Sequence, residues 1–551
     1  MARQKTAPAI VEQVQPYLEG VAKSLVDRLY GPDGPPWGTR MTELEDVVVA
    51  VRQALSERML AQALQRQAQT SETRLDRSPS RNAPVAKARS KPSRSRSHAR
   101  WRRAAAMRSG TSRTVTAANV GRLFFPQSKS LGIDRSEYSV AILDKIVYAG
   151  VSNSSFAVGS EDLQKLAEVQ VSAKQVERVT QRIGQERAGQ RAGAVKTYQA
   201  LPLVERKAVP AGVTAPDLAV VGVDGGRLQI LERCGATVAA EAAPDAEDGR
   251  AGQHWREDKI GLLMTMQSAV SASDPCPEIP ENFVDPTRIL KLARELKKQA
   301  LPSQEAVKET SEPAVGVEEL AEKRAEWAPP EVVEKRLLGS RVRWPEFGPM
   351  LAQAAWAWGF FGASRQAFIG DGSDNNWTIW QRYFSSFVPI LDFIHALSYV
   401  FAAAMAGRSF AAGWPIYEQW IRWVWGGEVA QVIAALAQRQ LELGAPTPDD
   451  GETGPRQTVA KTLAYLQNHQ HQMRYAAYRQ QGLPITSSYV ESAVKQFNQR
   501  VKGTEKFWTE AGAEAILQLR ADHLSDDEPL QRFWQDRQTT QTGQRAYRKA
   551  A

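Results

Sequence analysis

Apolar and polar positions divide this chain into stretches of different period. Residues 1–73 repeat apolar positions at helical spacing in PAIVEQVQPYLEGVAKSLVDRLY and again in MTELEDVVVAVRQALSERMLAQALQ, with the turn-rich GPDGPPWG between them. This predicts a helical hairpin used for packing or self-association. The pattern then stops. From Arg74 to Arg113, Arg and Lys recur among Ser, Ala and Pro, and Asp76 is the only acid. No apolar face offsets the entropy of ordering such a run, so residues 74–119 are expected to be disordered in the free protein, as a basic arm on phosphates or a solvated linker.

Periodicity returns over residues 120–200. Tyr138, Ile142, Ile146 and Val147 share one helical face, and EDLQKLAEVQVSAKQVERVTQRIG follows. A short helix to Ala167, a four-residue connection and a second helix capped by Ser172 and stopped at Gly184 have the proportions of a helix-turn-helix. Val176, Val179 and Ile183 would face inward. That leaves Lys174, Gln175, Arg178, Gln181 and Arg182 outward, donors suited to base edges and phosphates, although two packing helices of any helical domain fit the pattern as well. QERAGQRAGA reads as a loose connection.

Residues 215–405 alternate strand and helix patterns. LAVVGVD (218–224) is a continuous apolar run of the kind found in central strands, and it ends at Asp224. Gly225 and Gly226 are expected to turn the chain into a second strand over 227–231, with KIGLLMTM as a third antiparallel strand. DPTRILKLARELKKQ and EVVEKRLLG read as helical pieces, and PEFGPMLAQAAWAWGFFGA as an apolar helix. QAFIGD is a strand ending in Asp371, and FVPILD leads into the helix of DFIHALSYVFAAAMAG. Three antiparallel strands followed by alternating helix and strand predict an α/β fold with an RNase H-like core. Residues 406–480 are all-helical and rich in tryptophan, which reads as a helical insertion with its tryptophans used for packing. Residues 481–525 return to the core's last helices, with Glu491 near the start of SSYVESAVKQFNQRVKG, and 526–551 read as a polar tail.

Composition narrows the partners. A chain of 551 residues with a net charge of +9 suits several domains and an acidic partner, nucleic acid first. The two cysteines, Cys234 and Cys276, form no C-x-x-C pair, which argues against a disulfide framework and a cysteine zinc site. The N-terminus has no apolar signal region, and the longest apolar stretches are interrupted by Gln353, Asp392 and His395. No membrane span is expected, and a cytoplasmic location is.

The chemistry expected of Asp224, Asp371 and Glu491 follows from their charge. A DNA phosphodiester is itself anionic, so water or a 3′-hydroxyl attacks it only when cations neutralise the phosphate and acidify the nucleophile. Two Mg²⁺ ions held by oxygen ligands meet both needs, with Asp224 bridging them and Asp371 and Glu491 each holding one. Without metal, the three carboxylates would repel one another. Asp392 and His395, three apart at a strand-to-helix junction, read either as support for this site or as a helix cap beside a satisfied core histidine.

Taken together, VGVDGGRLQ, FIGDGSDNNWTIW, LDFIHALSYV and SSYVESAVKQFNQRVKGTEKFW resemble the ISKra4-type DDE transposases of bacterial insertion sequences and, more distantly, the Mutator-like group. The resemblance runs from about Val120 to the C-terminus. It implies catalytic, metal-binding acids at Asp224, Asp371 and Glu491, and the family's Asp/Cys-x-x-His element at Asp392 and His395. It also implies DNA-backbone contacts by Lys495, Arg500 and Lys502, and Mg²⁺ replaceable by Mn²⁺. The expected partners are double-stranded DNA, as terminal inverted repeats and as target, and a second copy or more of the chain in the DNA complex. The family's cysteine zinc ribbon is missing: its place is taken by the basic run, which fits a frameshift in the gene, and no zinc is expected. A DNA-binding regulator that has lost catalysis and a nuclease without strand transfer are the competing readings.

Overall fold

The computed structural model describes residues 7–77, 98–103, 106–111, 115–116, 123–124, 138–231, 254–295, 328–503 and 506–539. They fall into two units, one of residues up to Ile142 with Ala167–Val169, the other of Leu143–Leu166 and Gln170–Thr539. In the first unit the two expected helices are present as α1 (Ala7–Tyr30) and α2 (Met41–Arg77). Within the segment 74–119, β1 (His98–Arg103) pairs antiparallel with β2 (Ala106–Thr111), and β3 (Val115–Thr116) pairs with β4 (Leu123–Phe124) just beyond it. Ladder hydrogen bonds join backbone to backbone, so a composition with no apolar face does not forbid them. The rest of that segment, 78–97 included, lies outside the described residues.

The second unit is a mixed α/β structure built on a six-stranded mixed sheet in the order β7-β6-β5-β8-β9, with β10 on β5. Its strands are β5 (Leu218–Ile230), β6 (Trp255–Gln267), β7 (Glu331–Ser340), β8 (Arg365–Gly370), β9 (Val388–Leu391) and β10 (Phe507–Trp508). β6 runs antiparallel to β5 and β7, whereas β8, β9 and β10 follow the direction of β5. Helices α3 (Val140–Ser152), α4 (Phe156–Ala167), α5 (Ala173–Ala200) and α6 (Leu203–Arg206) precede the sheet. Between and after its strands come α7 (Pro286–Glu295), α8 (Trp344–Ala357), α9 (Asp374–Tyr383) and α10 (Phe393–Met405), then α11 (Phe410–Gly426), α12 (Val429–Leu443), α13 (Pro455–His469) and α14 (Tyr475–Gln480). The chain closes with α15 (Ser488–Val501), α16 (Glu510–Leu524) and α17 (Pro529–Thr539).

LAVVGVD is a central strand because both its faces are covered. Ala219, Val221 and Val223 point into a core with Phe347, Leu351, Phe368, Phe384 and Phe387, while α15 lies on the other face at Gly222. Four expectations are corrected. No turn forms at Gly225 and Gly226: β5 runs on to Ile230 and pairs along its length with β6. A β-carbon at Gly226 would stand 2.8 Å from a carboxylate oxygen of Asp258 on β6, so this glycine provides room rather than a bend. EVVEKRLLG is strand β7, not helix, because pairing with β6 outweighs the local pattern; its free edge is closed by Asp526 and Ser525, which bond Lys335 and Leu337.

The second helix of the expected helix-turn-helix does not stop at Gly184. α5 continues through QERAGQRAGA to Ala200, and Gly184 sits where a β-carbon would collide with the carbonyl of Ala515 on α16. The polar tail expected from 526 includes α17, with Phe533 and Trp534 buried. In the helical insertion Trp420 and Trp425 are buried as packing residues, and the Trp425 indole donates to the Cys276 carbonyl at 2.8 Å. Among the described residues no helix is long and apolar enough to cross a membrane.

Candidate metal centre

Three neighbouring parallel strands each deliver an aspartate to one edge of the sheet. β5 and β8 pair from Leu218–Arg365 to Gly222–Ile369, and β8 and β9 from Ala367–Val388 to Gly370–Leu391. Just beyond these last pairs stand Asp224, Asp371 and Asp392. Because the strands share a direction, the C-terminal ends of β8 and β9 emerge beside the middle of β5, where Asp224 stands. Glu491 arrives from elsewhere in the chain, on the first turn of α15. That helix can approach because Gly222 has no side chain, a β-carbon there overlapping Cγ2 of Val490.

Local bonds orient each group. Asp224 accepts from the N–H of Gly225 at 2.7 Å. Asp371 Oδ1 accepts from the N–H of Ser373 and from Asn376 Nδ2, both at 2.9 Å. The same Asn376 amide donates to the Val223 carbonyl at 3.3 Å and so ties the ends of β5 and β8 together. Gly372 takes φ +93°, and Tyr465 of α13 donates to the Asp371 carbonyl at 2.9 Å while stacking on Tyr399. The helical insertion thus holds the loop that carries Asp371.

Asp392 is fully buried and caps α10. Its Oδ1 accepts from Ile394 N–H at 3.3 Å and Ser487 N–H at 2.9 Å; its Oδ2 accepts from His395 N–H at 3.3 Å and contacts His395 Nδ1 at 2.6 Å. The bond to Ser487 fixes the entry to the helix that bears Glu491. Asp392 is thus a helix cap, and its ligand atoms lie within 4.8 Å of those of His395 and Glu491.

The electrostatics are those of crowded anions. Burial first, then the charge of Asp371, pushes the Asp224 carboxyl up to about 7; the N–H of Gly225 and His395 oppose this, and Glu491 adds to it. Asp224, Asp371, His395 and Glu491 are therefore electrical neighbours. Among the described residues the three whose ligand atoms lie within 4.8 Å of one another are Asp392, His395 and Glu491, rather than Asp224, Asp371 and Glu491. Asp392, His395 and Glu491 offer carboxylate oxygens and one imidazole that could hold a metal ion, and Asp224 and Asp371 act on this group through their charge.

The residues expected on DNA fare unevenly. Lys174 and Arg178 are exposed on α5, whereas Gln175, Gln181 and Arg182 are half-buried. Glu177 engages two of the five, pairing with Lys174 at 2.7 Å and accepting from Gln181 Nε2 at 3.3 Å. Ser172 caps α5 as expected, accepting from Gln175 N–H at 3.4 Å. Lys495 on α15 and Lys502 just after it are exposed, but Arg500 is not available to DNA. It is buried, donates to the Gly150 carbonyl at 2.9 Å and lies over the rings of Phe156 and Trp508, and burial lowers its pKa to about 10.

Asn376, Tyr465, Gly222 and Ser487 were not singled out by the sequence. For Asn376 a signal existed, since its spacing from Asp371 in DGSDNNW puts it on the first turn of the following helix. Tyr465 offered none. No protein-family model matches the chain, and no curated protein matches it.

Proposed function

We propose that the chain is a DNA transposase of the DDE type, cleaving and joining DNA strands with divalent metal at Asp224, Asp371 and Glu491. The observation that carries this reading is the electrostatic coupling of three carboxylates: Asp224 and Asp371 stand on the paired strands β5 and β8, Glu491 on α15, and burial, then the charges of Asp371 and Glu491, lift Asp224 to about 7. Such a corner favours a bound cation. The strand order, three antiparallel strands continued by two parallel ones, supports an RNase H-like core for it.

Bound Mg²⁺ or Mn²⁺ supplies charge neutralisation at the phosphate and acidifies the attacking water or 3′-hydroxyl. The chain's own residues do the rest. Ser373 and Asn376 fix one oxygen of Asp371 and leave the other for a ligand role, and Gly225 does the same for Asp224. Asp392 holds the entry to α15 through Ser487, so Glu491 is set by a bond from the end of β9. Lys495 on α15 and Lys502 at its C-terminal cap, with Lys174 and Arg178 on α5, are exposed cations that would meet DNA phosphates. A second protomer follows from the reaction class, because two element ends are processed together.

The test is direct. Purified protein with Mg²⁺ or Mn²⁺ and end-containing duplex is expected to give nicked and joined products that disappear in Asp224→Asn. A gel shift without any cleavage would support the regulator instead, and nicking without joining would support a nuclease.

A further inference from the structure

We propose that His395 is a nitrogen ligand of the metal centre, so that the site holds a divalent first-row transition ion such as Mn²⁺ more tightly than Mg²⁺. This rests on the reading of the strand edge as a cation site and specifies which ions it takes. Ligand atoms of Asp392, His395 and Glu491 lie within 4.8 Å of one another. Asp392 is the member least able to act as a ligand. It is fully buried, and its two oxygens already meet three backbone N–H groups and the imidazole.

Those bonds give Asp392 a positioning role. Its Oδ2 lies 2.6 Å from His395 Nδ1, a contact suited to that nitrogen donating to the carboxylate, so Nε2 is the nitrogen we assign to the metal. A carboxylate behind a histidine in this way fixes the tautomer and strengthens the imidazole as a metal ligand. The same carboxylate receives the Ser487 N–H at 2.9 Å, so one buried group sets both the imidazole and the start of the helix bearing Glu491. His395 also acts electrostatically on Asp224. Mg²⁺ takes hard oxygen ligands and gains little from imidazole, whereas later first-row ions accept nitrogen readily, so one histidine among carboxylates shifts the preference toward them.

The experiment uses the full chain and Mn²⁺ as probe. Mn²⁺ binding is followed by electron paramagnetic resonance, in competition with Mg²⁺, and nitrogen ligation is read from the electron spin echo. Nitrogen modulation is expected in the unaltered protein, and it should change isotope pattern when the chain is made with ¹⁵N-histidine, a readout that needs no variant. His395→Asn should abolish the modulation and weaken Mn²⁺ about 10–100-fold, with Mg²⁺ affinity within about threefold of the unaltered protein; Asp392→Asn should weaken Mn²⁺ in the same range. Mn²⁺ bound in a stoichiometric site that shows no histidine nitrogen would overturn the inference and leave the carboxylate centre standing. Failure to bind either ion, in the unaltered protein and in Asp224→Asn alike, would overturn the cation site itself.

Discussion

Gly222 and Val490 are in contact because one of them has no side chain. A β-carbon on Gly222 would occupy the space of Val490 Cγ2, so the helix carrying Glu491 rests on the strand carrying Asp224 two residues before that aspartate. The distance between two site residues far apart in sequence is thus set by a glycine that belongs to neither. Gly222→Ala is expected to push α15 away from the sheet, cost about 1–3 kcal/mol of stability, and lower strand cleavage at least about tenfold. Adding Val490→Ala should return much of the lost stability, a non-additivity that chemical denaturation of the two single variants and the double variant would reveal. Equal losses that simply add would count against the contact.

Asn376 joins the two strand ends through one amide. Replacing it with Ala removes the bonds to Asp371 and to the Val223 carbonyl, at a cost of about 1–3 kcal/mol for groups left unpaired in a buried place. Asn376→Asp keeps the shape but sets another carboxyl against Asp371, and is expected to weaken metal binding more than stability. Comparing Mn²⁺ affinity with the thermal midpoint for the two variants separates these effects.

Asp224 should make metal binding and stability respond to pH in opposite directions. Its carboxyl is raised to about 7 in the folded protein from a reference value of 3.8. The folded state therefore binds more protons between those values, so the stabilisation is complete below the unfolded pKa and is lost as pH rises through about 7. Without metal, the thermal midpoint is expected to rise as pH falls from about 8 to about 5. Metal binding needs the ionised form and should strengthen over the same range as pH rises. Asp258, raised to about 6 by burial, acts on stability in the same sense, so the part due to Asp224 is the difference from Asp224→Asn measured by scanning calorimetry.

Tyr465→Phe removes the hydroxyl that holds the Asp371 carbonyl at 2.9 Å while keeping the ring stacked on Tyr399. A loss of about 0.5–1.5 kcal/mol is expected, with a fall in cleavage rate larger than this destabilisation accounts for at a temperature where the variant is fully folded. An unchanged rate would mean that the helical insertion does not steady the Asp371 loop.

Basic residues on α15 should divide into two kinds. Lys495→Ala and Lys502→Ala are expected to fold normally and to lower DNA affinity, each reducing the slope of log affinity against log salt by about one. Arg500→Ala is expected instead to cost about 1–3 kcal/mol of stability, because it empties a buried place between Phe156 and Trp508, and to leave that slope alone. Salt titrations of DNA binding beside denaturation curves would distinguish them.

Sequence alone determined the parts of this protein whose cause is local. LAVVGVD, QAFIGD and FVPILD are apolar runs that end in an acid, and each becomes a buried strand, with Asp371 and Asp392 just past the C-terminal ends of β8 and β9 and Asp224 midway along β5. Tertiary structure decided what depends on residues far along the chain. EVVEKRLLG has no period that settles helix against strand, and it is a strand because β6 offers it a ladder. Gly225 and Gly226 look like a turn, yet the carboxylate of Asp258 opposite Gly226 makes small residues necessary in a straight strand. Arg500 looks like a DNA contact on a basic helix, and it is buried against Phe156 and Trp508, donating a hydrogen bond to a carbonyl 350 residues earlier. Local pattern fixes backbone conformation and hydrophobicity; which side chains meet is a property of packing, because close approach is governed by the shape of a partner that the local pattern does not contain.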